Sequence, residues 1–191
     1  MSRIESSKEV ISRRAIIGGL AAGIAVPTPF FAASPAIAKG TGNFRSLSLI
    51  NNRTAERLNT VYWVEGQYIP EALEAFNYIL RDWRESAVIK IDPKAIDIMA
   101  ATQNLLDTSE PFEVVSGYRS PKTNAMLRSR SRGVARNSYH TRGMAVDLTI
   151  KSRSAREVGR AAISLKAGGV GRYSRSNFTH VDSGPVRNWG R

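Results

Sequence analysis

Ser138-Tyr139-His140-Thr141-Arg142-Gly143-Met144-Ala145-Val146-Asp147 contains one of only two histidines in the chain. His140 stands just before a turn that includes Gly143, a residue able to take backbone angles that others resist. Ala145 to Ile150 then alternates as a half-buried strand does, and Asp147 lies on it. A chain that doubles back at Gly143 could bring the His140 imidazole and the Asp147 carboxylate together. Both groups bind zinc, at about 2.0–2.2 Å. The other histidine, His180, sits in Phe178-Thr179-His180-Val181-Asp182, which is expected as a strand. Two ligands close in sequence and one remote would leave a fourth position for water, as catalytic zinc does. Zinc lowers the pKa of such a water towards ~7. There is no cysteine, so no disulfide can form and a metal site must use His and carboxylates. On spacing alone, the two histidines could also be ordinary surface or core residues.

Towards the N-terminus, Arg45 to Ile50 alternates polar and apolar residues. Asn51-Asn52-Arg53-Thr54 signals a turn, and Leu58 to Glu65 carries Val61, Tyr62, Trp63 and Val64. Together they read as a β-hairpin. Pro70 marks a helix start, and Leu73, Phe76, Ile79, Leu80 and Trp83 follow at helical spacing, so these aromatics are expected in the core. Asp92-Pro93 opens a second helix, with Asp92 as N-cap and Pro93 at the first helical position; Ile96, Met99, Ala100 and Gln103 fall on one side. Phe112 to Ser116 reads as a short strand, Lys122 to Ser129 as a short helix and Arg128 to Arg136 as a basic loop. A helix follows over Ala155 to Leu165, ended by Gly168-Gly169, then strands over Val170 to Tyr173 and Phe178 to Ser183. Helices and strands mix without a βαβ rhythm or an internal repeat. The expected fold class is α+β, an antiparallel sheet with helices packed on one side.

Residues 1–38 read as an address. Ser12-Arg13-Arg14-Ala15-Ile16-Ile17 is a twin-arginine pattern, followed by an apolar, small-residue stretch to Ala33 that Pro27 and Pro29 interrupt. Ala36-Ile37-Ala38 offers small residues to a signal peptidase, so cleavage is expected before Lys39, with export to the periplasm. The prolines and the short apolar run argue against an uncleaved anchor, and the mature form is expected to have no stable membrane span. Residues 39–191 then make one domain, opening on a flexible leader from Lys39 to Asn43. At 42% hydrophobic residues, the 191-residue chain can build a single core. The first 38 residues hold four basic and two acidic side chains, so their removal takes the net charge from +12 to +10. That basicity suits nucleic acid, an anionic membrane, an anionic polymer such as cell wall, or simply a self-repelling soluble surface. Export argues against nucleic acid, as does the absence of aromatics among the loop arginines.

The pattern Ser-x-His-x-x-Gly-x-Ala-x-Asp, with His-x-Asp much later, resembles the M15-type zinc peptidases. These include D-alanyl-D-alanine carboxypeptidases and cell-wall endopeptidases, and they share a metal fold with the Hedgehog signalling domain. Further stretches are similar to one branch, the murein endopeptidase K family. They are Ser116-Gly117-Tyr118-Arg119-Ser120, Arg128-Ser129-Arg130-Ser131-Arg132-Gly133-Val134-Ala135, Ala167-Gly168-Gly169-Val170-Gly171, and Ser176-Asn177-Phe178-Thr179-His180-Val181-Asp182-Ser183-Gly184-Pro185. The likeness runs roughly from Arg45 to Trp189. It implies a Hedgehog/D-Ala-D-Ala peptidase-like fold and His140, Asp147 and His180 as Zn²⁺ ligands. It also implies peptidoglycan peptide stems as substrate, cut by zinc-activated water at 3-3 meso-diaminopimelate cross-links and at D-alanyl cross-links.

Other roles stay open. Many M15-type enzymes place Glu or Asp three residues before the last zinc histidine, as general base; Asn177 occupies that position here and cannot take a proton. Asp182 is the nearest carboxylate, and on a strand it faces the same side as His180. It could accept the proton of water, orient His180, or form a buried ion pair. The planar fork of Arg119 suits a carboxylate or a peptide carbonyl. The resemblance implies a substrate-binding or oxyanion-stabilising role for it, against a plain salt bridge. Ser138 could bond near the metal or cap the turn, and Tyr118 and Tyr139 could line the cleft or pack. Arg128, Arg130, Arg132 and Arg136 could steer an anionic stem or form a solvated basic face. Asn177 also leaves room for a non-catalytic, zinc-containing wall-binding module on the same fold.

Overall fold

Alternating burial along Phe44–Asn51 (β1) and its antiparallel pairing with Arg57–Val64 (β2) make the expected hairpin, closed where the Asn51 side chain accepts the Arg53 and Thr54 amides. The computed structural model describes residues 43–190; the expected signal segment and the leader up to residue 42 lie outside the described residues. The remaining strands are Gln67–Tyr68 (β3), Phe112–Ser116 (β4), Ala145–Thr149 (β5), Gly169–Tyr173 (β6), Phe178–Asp182 (β7) and Arg187–Gly190 (β8). All eight join one sheet in the order β3-β2-β1-β4-β5-β7-β6-β8. The sheet is mixed, where an antiparallel one was expected: β1 runs parallel to β4, and β6 to β8. The first parallel pair follows from the long crossover between β1 and β4. β8 escapes a reading by alternation because Arg187-Asn188-Trp189-Gly190 contains a single apolar side chain.

Among the described residues four α-helices accompany the sheet: Pro70–Ile79 (α1), Pro93–Leu105 (α2), Pro121–Arg130 (α3) and Ala155–Ser164 (α4). Side chains cap three of them: Asp92 accepts the Lys94 amide at 3.0 Å, Ser120 the Thr123 amide at 3.1 Å, and Ser154 forms a capping box with Glu157. α1 stops at Ile79, short of the full helical pattern, and Trp83 lies beyond it on a turn, 38% exposed. That corrects the expectation of Trp83 as a core aromatic.

Leu47, Leu49, Phe112, Val114, Val146, Leu148, Val170 and Val181 meet Phe76 and Ile79 of α1, Ile96 and Met99 of α2, and Val158 and Ala162 of α4 in one core. α3 adds no residue to it. Successive strand residues face opposite ways, so a core built on Val146, Leu148 and Val181 turns Asp147, His180 and Asp182 to the other face. At the far end of β1, Arg45 is buried and pairs with Asp97 of α2 at 2.8 Å. Tyr62 and Tyr68 donate to the same carboxylate at 2.9 and 2.6 Å, and the Arg45 guanidinium lies over Trp63 at 4.1 Å. Burial and the Asp97 charge push both phenol pKa values above the ordinary range. Removing one partner from such a pair costs about 3–5 kcal/mol, because the other charge is left stranded in the core.

Candidate metal centre

Sheet register assembles this site. A shift between Val114 and Ser116 sets Ser116 opposite Asp147; Asp147 faces His180, His180 faces Gly171, and Gly171 faces Trp189. The next row is Ala145, Asp182, Gly169 and Arg187. His140 arrives from a short 3₁₀ turn, Tyr139–Arg142, that precedes β5. Gly143 ends the turn at φ +68°, a backbone region open mainly to glycine, and the chain doubles back as the sequence suggested.

His140, Asp147 and His180 are 2%, 4% and 8% exposed. Their inner atoms form a triangle: His140 Nε2 to Asp147 Oδ1 is 3.2 Å, His140 Nε2 to His180 Nδ1 is 3.2 Å, and His180 Nδ1 to Asp147 Oδ1 is 2.9 Å. The outer nitrogens are already committed. His140 Nδ1 lies 2.7 Å from the Gly117 carbonyl, which can only accept, so this nitrogen donates. His180 Nε2 donates to Asp182 Oδ2 at 2.9 Å. With neutral imidazoles both inner nitrogens are then acceptors, and three lone-pair atoms converge with no proton between them. Tetrahedral coordination at about 2.0–2.1 Å needs ligand atoms about 3.3 Å apart, close to the edges observed. The chemistry and spacing of the donor set fit a divalent cation.

Charges around the triangle act in opposed directions. Burial drives the His140 pKa below the ordinary imidazole value despite the pull of Asp147. It works against the Asp147 carboxylate, but His140, His180 and Arg119 outweigh it and hold that pKa well below normal. Burial likewise opposes protonation of His180, yet bonds to Asp147 and Asp182 leave its pKa raised.

Asp182 is fully buried behind His180, at the ring nitrogen away from the triangle. It accepts Arg187 through both guanidinium nitrogens, at 3.0 and 2.7 Å, and the amides of Gly169 and Gly184 at 3.3 and 2.9 Å. Burial works against its ionisation, but His180 and Arg187 bring the pKa down to about 2. Arg187 and Trp189 reach this region because the intervening row positions on β6 are glycines. A Cβ at Gly169 would run into Arg187 and Asp182, and one at Gly171 into the Trp189 ring. The indole and His180 ring centroids lie 5.3 Å apart. Neither Arg187 nor Trp189 was singled out from sequence; the Gly169-x-Gly171 spacing was the available signal.

The other expected residues separate. Arg119 donates from Nε to Ser116 Oγ at 2.8 Å and pairs through Nη2 with Asp147 Oδ2; its Nη1 has no bonded partner among the described residues. Ser138 accepts the His140 amide at 3.3 Å, so it caps the 3₁₀ turn while also lining the cleft. Tyr139 lines the cleft, but Tyr118 packs against the hydrophobic core and is not among the lining residues. Asn177, in the left-handed region at φ +48°, spends its side chain on the Ala155 amide at the start of α4. The cleft measures ≈ 360 Å³, and Asp147 is the only carboxylate among the described residues that line it. Ser131, Gly133, Val134, Ala135 and Asn137 form part of its wall, and Asn124 of α3 donates to the Ala135 carbonyl at 3.1 Å.

A buried donor triangle with one side open to a cleft has the form of a catalytic metal site, where protein ligands leave room for a further group. Comparison with known proteins puts the chain among the peptidases: residues 39–189 match the family Peptidase_M15_2, described as "Peptidoglycan L,D-endopeptidase MepK". The "Peptidoglycan L,D-endopeptidase MepK" proteins of Escherichia coli (strain K12) and Shigella flexneri are each 44% identical over 174 residues, covering 91% of this chain and 93% of the relative. The "Probable peptidoglycan L,D-endopeptidase MepK" of Haemophilus influenzae is 41% identical over 175 residues, 91% of each chain. This chain belongs to the murein endopeptidase K family.

Proposed function

We propose that this protein is an exported zinc peptidase that hydrolyses peptide cross-links in peptidoglycan, with His140, Asp147 and His180 as metal ligands. The observation that carries the reading is the acceptor-only triangle, whose outer nitrogens are spent on Gly117 and Asp182. Zinc bound there supplies Lewis-acid activation of water and of the scissile carbonyl. Arg119 braces Asp147 and keeps Nη1 for the oxyanion or a substrate carboxylate. The relatives' names give peptidoglycan L,D-endopeptidase activity; the bond cut in this protein is taken as the 3-3 meso-diaminopimelate cross-link, with D-alanyl cross-links second. The fold is taken as Hedgehog/D-Ala-D-Ala peptidase-like. Action on the wall requires a site outside the cytoplasmic membrane, which suits residues 1–38 as a twin-arginine signal peptide and residues 39–191 as the periplasmic domain. No helix among the described residues is long and apolar enough to cross a membrane.

The test is mass spectrometry of defined cross-linked muropeptides after incubation with the protein, with and without a chelator. Release of monomers only with metal present is the expected result. A second reading, a wall-binding module without activity, draws on the lack of any cleft carboxylate besides Asp147 among the described residues. Bound zinc with no product would favour that module.

Asp182 is assigned the orienting role, not that of base, because its oxygens are filled by His180, Arg187 and two amides. Asp182→Asn is expected to weaken metal affinity by about 10–100-fold, measured by competition with a chromogenic chelator. Activity should return largely at saturating zinc. A variant with full metal affinity and no turnover would make Asp182 the base instead.

A further inference from the structure

The cationic surface continues past Arg119. The buried Asp82 carboxylate accepts the Arg84 amide at 3.0 Å on one oxygen and the Ser120 amide at 2.9 Å on the other. One side chain therefore fastens the turn that carries Trp83 and Arg84, closed by an Asp82–Ala87 bridge, to the residue after Arg119. The Arg84 guanidinium lies 4.3 Å from the Trp83 ring centroid, and Arg53 approaches the same ring to 5.9 Å. The indole face holds a guanidinium flat and leaves its donor edge free. Partial desolvation, together with the charges of Arg53, Arg119 and Arg130, lowers the Arg84 pKa against the pull of Asp82.

The nearby acids are spent elsewhere. Asp82 serves two backbone amides, Glu85 pairs with Lys122 at 3.0 Å, and Glu56 pairs with Arg81 at 2.8 Å. Arg53, Arg84 and Arg130 form no ion pair among the described residues. Like charges gathered by a fixed turn and left unneutralised favour an anion arriving from outside.

We propose that Arg84, stacked on Trp83 and supported by Arg53, is a carboxylate-binding subsite on the turn tethered to Ser120, taking a free carboxylate of the peptide stem beside the scissile bond. The inference rests on the peptidoglycan reading above. Each diaminopimelate residue of a cross-link can carry a free carboxylate within a few bonds of the amide, and the turn that carries Arg84 is bonded through Asp82 to Ser120, the residue after Arg119. The planar fork of arginine matches a carboxylate in two-point contact.

Arg84 is exposed, so Arg84→Gln is expected to fold as the parent does. On a cross-linked muropeptide with free carboxylates the variant should raise KM about five- to twentyfold with kcat within about twofold, and Arg53→Gln should raise it less. On the same muropeptide with those carboxylates amidated, variant and parent should have equal KM. An unchanged KM on the free acid, or an equal rise on both substrates, would overturn the subsite. Calorimetry of the uncross-linked stem peptide on the full chain reads the subsite apart from turnover. Should the protein cleave nothing, weaker binding by Arg84→Gln to the free acid but not to the amide still supports it, and equal binding overturns it.

Discussion

Asp147→Asn is expected to lower kcat/KM on cross-linked muropeptides by at least about 10³-fold and to strip the protein of tightly bound metal. The substitution keeps the shape of the side chain, so the row from Ser116 to Trp189 should persist. It removes the negative charge that two imidazoles and a guanidinium share. A neutral amide oxygen is a poorer ligand, and the amide nitrogen would set a donor against a triangle built of acceptors. Metal content after gel filtration, read beside the muropeptide assay, checks both halves. One equivalent of retained zinc with parental turnover would remove Asp147 from the centre and the proposed mechanism with it.

Arg119→Gln is expected to lower kcat by about 10²–10³, the usual cost of deleting one donor that meets developing charge, with metal content near one equivalent. The proposal gives Arg119 two duties. Nε and Nη2 tie it to Ser116 and Asp147, and Nη1 has no partner among the described residues. Kinetics at saturating zinc separate them. A residue that only braced Asp147 would lose metal affinity and regain its kcat when zinc is supplied in excess. One that meets the substrate keeps its deficit however much metal is added.

How much of this was legible in the sequence follows from how local each feature is. His140 and Asp147 are seven residues apart across one glycine turn, so their convergence could be read from the quoted stretch. His180 could be named because histidines are scarce, but its placement opposite Asp147 is a matter of strand register, which no single segment encodes. Arg187 and Trp189 were invisible for a similar reason: they matter through a parallel pairing of β8 with β6 and two vacant positions between. Trp83 was misassigned because apolar spacing continues past the point where the backbone leaves the helix; the turn is set by Asp82, a polar residue with a tertiary partner. Tyr118 follows the strand that carries Ser116, yet its ring packs into the core while Arg119 takes the cleft, a choice that sequence order does not reveal.

The place of β8 has a consequence for His180. Arg187 holds Asp182, and Asp182 holds the outer nitrogen of the His180 ring, so fraying of this edge strand would loosen an imidazole that lies two strands away.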